Sequence, residues 1–219
     1  MCEFIVHSIP GSPYGRAVLA TLEEKGADYR LNPVAPGTFK QEPHISRHPF
    51  GKVPVLQHGD FMLYETQAIL RYLDRVLPAP ALTPADPQAA GRMDQALNVN
   101  DWYFFRDVAA VIGFQRVVGP KLMGLTPDEA ACAAAMPDAH RVFREFGRLL
   151  GEQSYFGGAA VSLADILLAC QLDFFDGLPE WTPLTAANTN LVRWLARMNA
   201  RPSLQATTWE RVAALAPAA

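Results

Sequence analysis

His48-Pro49-Phe50-Gly51-Lys52-Val53-Pro54-Val55-Leu56, with Tyr64-Glu65-Thr66-Gln67-Ala68-Ile69 a short way on, decides how the rest of the chain is read. Pro54 stands at the threshold of an apolar run. A proline cannot donate to a ladder, so it marks a strand start or a tight turn, a cis one included. The backbone at Val53 is left open as a result. His58-Gly59-Asp60 reads as a hairpin turn, since glycine tolerates the positive φ such turns need, and it returns the chain through Phe61-Met62-Leu63-Tyr64. From Gln67 the apolar residues Ala68, Ile69, Leu70, Tyr72, Leu73 and Val76 fall at helical spacing, with Thr66 as the expected N-cap. An extended edge and a helix start thus converge. The first can pair with a peptide backbone, and the second can hold a carboxylate, with the Glu65 carboxylate beside it for an amine.

Upstream, Glu3-Phe4-Ile5-Val6-His7 is a short apolar strand, closed by the turn-forming run Ser8-Ile9-Pro10-Gly11-Ser12-Pro13. Ser12 sits where an N-cap belongs and Pro13 suits the first helical position. Val18, Leu19 and Leu22 then keep helical spacing until Gly26. Asp28 to Val34 reads as a second strand. Strand, helix and strand in this order imply a right-handed crossover between parallel strands, to which the hairpin adds antiparallel ones.

Downstream, four prolines between Pro78 and Pro87 exclude regular structure and mark a linker. The expected organisation is a first domain over 1–77, a linker over 78–86 and an all-helical domain over 87–219. Residues 87 to about 118 read as one helix of about 32 residues, roughly 48 Å long, with a bend near Gly113. Its aromatic middle, Asp101-Trp102-Tyr103-Phe104-Phe105-Arg106, is apolar on several sides and so buried on several sides. Thr126-Pro127 opens a further helix, which Pro137 interrupts and which resumes through Val142, Phe143, Phe146, Leu149 and Leu150 to Gly151. Ser162-Leu163-Ala164-Asp165 is a capping-box variant ahead of an apolar run to Gly177, a structural element. Two shorter helices, about 187 to 200 and 203 to 214, flank the break at Arg201-Pro202.

Half of the 219 residues are apolar, enough for a sizeable core, and a formal charge of −3 gives no basic field for nucleic acid. No apolar run is long enough to span a membrane, and Met1-Cys2-Glu3-Phe4 lacks the basic start of a signal peptide, so a cytoplasmic protein is expected. Cys2, Cys132 and Cys170 are odd in number and far apart, without a CxxC pair, and read as incidental or structural thiols. His44, His48 and His58 lie among Pro and Gly turns and read as solvated loop residues; no metal is expected.

Pro49-Phe50-Gly51-Lys52-Val53-Pro54 and Glu65-Thr66-x-Ala68-Ile69, together with Pro10-Gly11-Ser12-x-x-x-Arg16-x-Val18, resemble the glutathione S-transferases, nearest to the phi and theta-like branch and of bacterial type. The resemblance covers about the first 77 residues by motif and the remainder by pattern. It implies an α/β thioredoxin-like N-terminal domain and an all-α helical-bundle C-terminal domain. It also implies a cytoplasmic homodimer that uses glutathione as co-substrate and conjugates it to small hydrophobic electrophiles, a detoxification chemistry.

The same resemblance assigns roles. Ser12 would donate its hydroxyl to the glutathione sulfur. A free thiol has a pKa of about 8.5, and a donor at a positive helix end favours the thiolate. Ser8 and Tyr14 are the rival hydroxyls. Lys40 and Lys52 would meet the glycine carboxylate, although Phe39 stands where the family pattern often has histidine. Val53, next to Pro54, would pair its backbone with the cysteinyl unit. Glu65 would take the γ-glutamyl ammonium, and Thr66, in place of the usual serine, the adjacent carboxylate. Tyr14, Trp102, Phe105 and Arg106 would line the electrophile's pocket, core packing being the other reading of the last three. Phe50 is a candidate to insert into a neighbouring subunit or to be buried within its own. Two further readings stay open: a non-catalytic binding or assembly module of this fold, and a glutathione-dependent disulfide reductase or isomerase, for which a cysteine at position 12 is missing.

Overall fold

The computed structural model describes residues 4–77 and 79–215. Cys2, Glu3 and Pro78, read above as an incidental thiol, a strand start and part of the linker, lie outside the described residues. The chain divides into two units, Met1–Thr83 with Ala200–Ala219, and Pro84–Asn199.

In the first unit, β1 (Phe4–Ser8), α1 (Pro13–Glu24) and β2 (Tyr29–Pro33) form the crossover, and α2 (His44–Arg47) is a single turn not expected from the sequence. β3 (Val55–His58), β4 (Phe61–Tyr64) and α3 (Thr66–Val76) follow. The sheet order is β2-β1-β3-β4. β1 and β2 are parallel, and β3 runs antiparallel to both β1 and β4. Val6, Leu19, Leu22, Leu56, Ile69 and Leu73 are fully buried, each side chain stabilising by about 1.5–3 kcal/mol. Gly26 (φ 60) stops α1 where expected.

Residues 200–219 belong to this unit rather than to the helical domain. The reason is polar as well as apolar. In the segment leading to α10 (Pro202–Ala206), Arg201 grips both Glu24 carboxylate oxygens at 2.7 Å, and Arg16 donates to the Leu204 carbonyl at 3.1 Å. α11 (Trp209–Leu215) follows, so two short helices stand where one was expected.

The second unit starts with α4 (Pro87–Val99), capped by Asp86, whose carboxylate accepts from Ala89 N–H at 2.8 Å. The winding then widens. Asn100–Val118 is π-helical, and its buried residues Asn100, Phe104, Val108 and Ile112 recur every fourth position. The expected single helix is therefore two differently wound ones, followed by the short α5 (Gly119–Met123). α6 (Glu129–Leu150) begins one cap later than expected, at Asp128, whose carboxylate accepts from Ala131 N–H. It runs through Pro137 without interruption. A proline inside a helix costs about 3 kcal/mol, and Ala139, Val142, Phe143 and Phe146 on the buried face more than offset it.

Phe104 centres the core of this unit, with ring centroids 5.2–6.0 Å from Phe143, Phe146 and Phe175. α7 (Leu163–Leu172) is buried on every side and ends before the expected Gly177. Its capping box is built as the sequence indicated. Asp165 accepts from Ser162 N–H and Oγ, and also from Phe156 N–H and Trp194 Nε1. The short α8 (Trp181–Thr185), not expected, precedes α9 (Thr189–Asn199). Cys132 and Cys170 are buried and form no disulfide.

Candidate active site

The register of the sheet gathers the motifs. His7 of β1 and Tyr64 of β4 both stand opposite Val55, and Ser8 stands opposite Pro33. Pro54 and Glu65 are the chain neighbours of Val55 and Tyr64 at this same end of the sheet, just outside the ladders. β1 hands over to α1 and β4 to α3 at that end, so two helix N-termini open there, each a place for negative charge.

Ser12 caps α1 as expected. Its Oγ accepts from Gly15 N–H at 3.1 Å, which leaves the hydroxyl proton to be donated elsewhere. Ser12 and Tyr14 are half-buried. Ser8, the rival hydroxyl, is fully buried, and its Oγ has no hydrogen-bond partner among the described residues.

Glu65 is exposed, and it is the only non-glycine residue with positive φ among the described residues, at 69°. Strained backbone of this kind persists where the surroundings or a function require it. Thr66 is the first helical residue of α3, not the cap. The reversal at Glu65 ends the strand so abruptly that α3 starts directly after it, with no side-chain cap. The Val53–Pro54 bond is cis, and β3 pairs only from Val55, so Val53 lies outside the ladder, half-buried. Lys40 and Lys52 are exposed. Gly51 brings their segments together: a Cβ there would lie 2.8 Å from the Phe39 carbonyl and 2.9 Å from Lys40 Cγ.

The histidines are not solvated. His44 and His48 are each 3% exposed. His44 Nε2 donates to the Lys52 carbonyl at 2.8 Å, and His48 Nδ1 accepts from Phe50 N–H at 3.4 Å. His48 stacks on Tyr64 with ring centroids 4.7 Å apart; burial lowers its pKa, and the Glu65 charge acts the other way. His58 packs on Phe4 and is hydrogen-bonded to the Tyr72 hydroxyl. His7 is also buried, its Nδ1 accepting from Asn32 and its Nε2 donating to Gln57. Burial lowers its pKa and keeps the ring neutral at pH 7. Sequence reasoning missed these supports because a histidine flanked by Pro and Gly gives no periodicity from which burial could be read. No group of three or more His, Cys, Asp or Glu among the described residues is placed to hold a metal ion.

In the second unit Trp102 is 61% exposed, Phe105 is half-buried, and Arg106 is exposed, with its guanidinium forked onto Asp107 at 2.7 and 2.8 Å. Trp102 and Arg106 share a face, four positions apart on the π-helical segment. The expectation that this stretch is buried on several sides holds only for Phe104. A separate cleft of about 430 Å³ has an apolar floor of Val99, Tyr103 and Val142 and a rim that includes Arg141, Arg144 and Arg148.

Comparison with known proteins agrees with these features. A family model described as glutathione S-transferase, N-terminal domain, matches residues 3–75, and one described as glutathione S-transferase, C-terminal domain, matches residues 105–202. A glutathione S-transferase of Hyoscyamus muticus is 31% identical over 90% of this chain and 94% of its own length. Glutathione S-transferase hmp2 of Hypomyces subiculosus is 33% identical over 84% and 88%. Among solved structures, an apo glutathione S-transferase III superposes with a TM-score of 0.82 at 30% identity, covering 99% of this chain and 98% of that one. The maize glutathione S-transferase I in complex with an atrazine glutathione conjugate gives 0.81 at 27% identity, covering 99% and 100%. The crossover with its added hairpin, the capped Ser12, the turn at Glu65 and these matches along both parts of the chain lead to one conclusion: the chain belongs to the glutathione S-transferase family.

Proposed function

We propose that the protein binds glutathione across the end of the four-stranded sheet and conjugates it, through its sulfur, to small hydrophobic electrophiles. One observation carries the reading: the pairing of β1, β3 and β4 brings His7, Val55 and Tyr64 side by side at the sheet end from which α1 and α3 begin, and Ser8, Pro54 and Glu65 are their immediate chain neighbours at that end. Glu65 takes the ammonium of the γ-glutamyl group, and Thr66 at the start of α3 takes its carboxylate. The open backbone of Val53, beside Pro54, pairs with the cysteinyl unit. Lys40 and Lys52, drawn together at Gly51, hold the glycine carboxylate.

Ser12 donates its hydroxyl to the sulfur and so favours the thiolate. Each pH unit by which the thiol's titration is lowered corresponds to about 1.4 kcal/mol. The thiol proton leaves to solvent. The sulfur lone pair forms a C–S bond with the electrophilic carbon, and the leaving group departs with its bonding electrons. Tyr14, Trp102, Phe105 and Arg106 are its contacts on the electrophile. No metal takes part in this reading.

The reading extends to a homodimer. Phe50 is 66% exposed, and on a second copy the cleft floored by Val99, Tyr103 and Val142 offers an apolar seat for it. It extends also to the cytoplasm, in keeping with Cys132 and Cys170 being buried outside any disulfide and with no helix among the described residues being long and apolar enough to cross a membrane.

The test is calorimetry with glutathione alongside turnover of a chromogenic aryl halide. Hydrogen bonds to charged groups contribute about 1.5–3 kcal/mol, so Ser12→Ala is expected to lower kcat at neutral pH by about 10- to 100-fold. No uptake at millimolar glutathione sinks the reading. Uptake without turnover leaves a binding module instead, and unchanged turnover in Ser12→Ala removes the role given to that hydroxyl.

A further inference from the structure

Ser12 lies between two positions that only glycine can fill. A Cβ added at Gly11 (φ +84) would come within 2.5–2.6 Å of Cη2, Cζ2 and Cζ3 of Trp209. One added at Gly15 would come within 2.0 Å of Ser8 Oγ. The far edge of the Trp209 indole therefore rests directly on the backbone of the turn whose next residue is Ser12.

That approach is held in place. Arg201 and Ser203 both donate to the Glu24 carboxylate near the end of α1, Ser203 at 2.5 Å, and Arg16 in the first turns of α1 donates to the Leu204 carbonyl. The segment carrying Trp209 is thus fastened along the helix that Ser12 caps. An indole has only two side-chain torsions, so once its segment is fixed it acts as a rigid wall.

We propose that Trp209 is a positioning residue for the Ser12 hydroxyl. By pressing on Gly11 from one side, while Ser8 occupies the space at Gly15 on the other, it fixes the Pro10–Gly11–Ser12 turn. Ser12 Oγ then stays on the Gly15 N–H with its own proton free for the sulfur. The inference rests on the role given to Ser12 above and separates two properties of the site. Affinity for glutathione comes from Glu65, Thr66 and the lysines; the poise of the thiol comes from Ser12 and, through it, Trp209.

The experiment compares the wild type with Trp209→Ala, Trp209→Leu and Trp209→Tyr. It reads glutathione affinity by calorimetry and the titration of the bound thiol by the ultraviolet absorption of the thiolate. In the Ala and Leu variants affinity is expected to stay within about threefold of wild type. The thiol's midpoint is expected to rise by about one pH unit, so kcat falls about tenfold near about pH 6.5 and recovers above about pH 8.5. Trp209→Tyr, which keeps a flat ring of similar reach, stays within about twofold of wild type. An unchanged midpoint in the folded variants, or a loss of turnover equal at every pH, overturns the assignment. Should Trp209→Ala fail to fold, Trp209→Leu decides by the same midpoint. A wild type that takes up no glutathione, or whose bound thiol titrates like the free one, overturns the reading of Ser12 itself.

Discussion

Glu65 combines an unusual backbone with an exposed carboxylate at the point where β4 gives way to α3. Its φ of 69° is maintained without a glycine, which means that the side chain is worth the strain. Glu65→Gln keeps size and backbone preference but removes the charge that would pair with the γ-glutamyl ammonium. A charge-assisted hydrogen bond contributes about 1.5–3 kcal/mol, so glutathione is expected to bind about 10- to 100-fold more weakly, with the melting temperature little changed. Calorimetry measures the first and a thermal scan the second; equal affinity in the two proteins would remove Glu65 from the ligand. At this scale Ser12 was legible because a cap has a local signature, a hydroxyl before Pro13 and an apolar helix. His44 and His48 were not, because what buries them is a carbonyl and rings brought in by the fold.

Among the elements, α1 and α3 are joined by an ion pair at their C-terminal ends. Lys25, at the end of α1, has its side chain fully enclosed and places Nζ 2.6 Å from Asp74 Oδ1, 3.0 Å from the Leu77 carbonyl and 2.5 Å from the Pro80 carbonyl. Asp74 also accepts from Leu82 N–H and Thr83 Oγ. Burial pushes the Asp74 carboxyl up, but the bonds from Lys25, Thr83 and Leu82 together outweigh it and hold the group below the ordinary aspartate value. A depressed value in the folded state means stabilisation that is complete above the unfolded value of about 3.9 and is lost as pH falls through the folded one. Asp74→Asn is expected to cost about 3–5 kcal/mol at pH 7, because it leaves Lys25 buried without its counter-charge. In urea titrations the gap between the two proteins should narrow from about pH 5 towards about pH 3. A gap of constant width would show that Asp74 titrates as it does in the unfolded chain. Element existence was legible wherever spacing and caps agreed, as in α1 and α7. Pro137 misled because local propensity cannot register a buried face of aromatic residues, and the π-helical winding after Asn100 follows from packing at every fourth position, for which sequence patterns offer no rule.

For the whole molecule, association is the property most exposed to test. An aromatic ring seated in a partner's cleft is the kind of residue that dominates an interface, worth about 2 kcal/mol or more. In Phe50→Ala the proposed self-association is expected to weaken by about 30-fold or more, which sedimentation at micromolar concentration would read as a shift from dimer towards monomer. A variant as dimeric as its parent would return Phe50 to a surface role. The division between the units falls between Thr83 and Pro84, inside the proline-rich stretch read as a linker, whereas the return of residues 200–215 to the first unit was hidden. Arg201 and Trp209 find their partners at Glu24 and Gly11, a pairing no local window spans.

That return has a consequence for biosynthesis. Arg16 and its acceptor at Leu204 are 188 positions apart, so when the ribosome has made the whole sheet, the partners of Glu24 and the ring that rests on Gly11 have yet to be translated. The sheet-bearing unit emerges first yet is completed last. A nascent chain halted before residue 200 would expose the first helix without its covering segment, a state open to chaperones and proteases until residues 200–215 have been made.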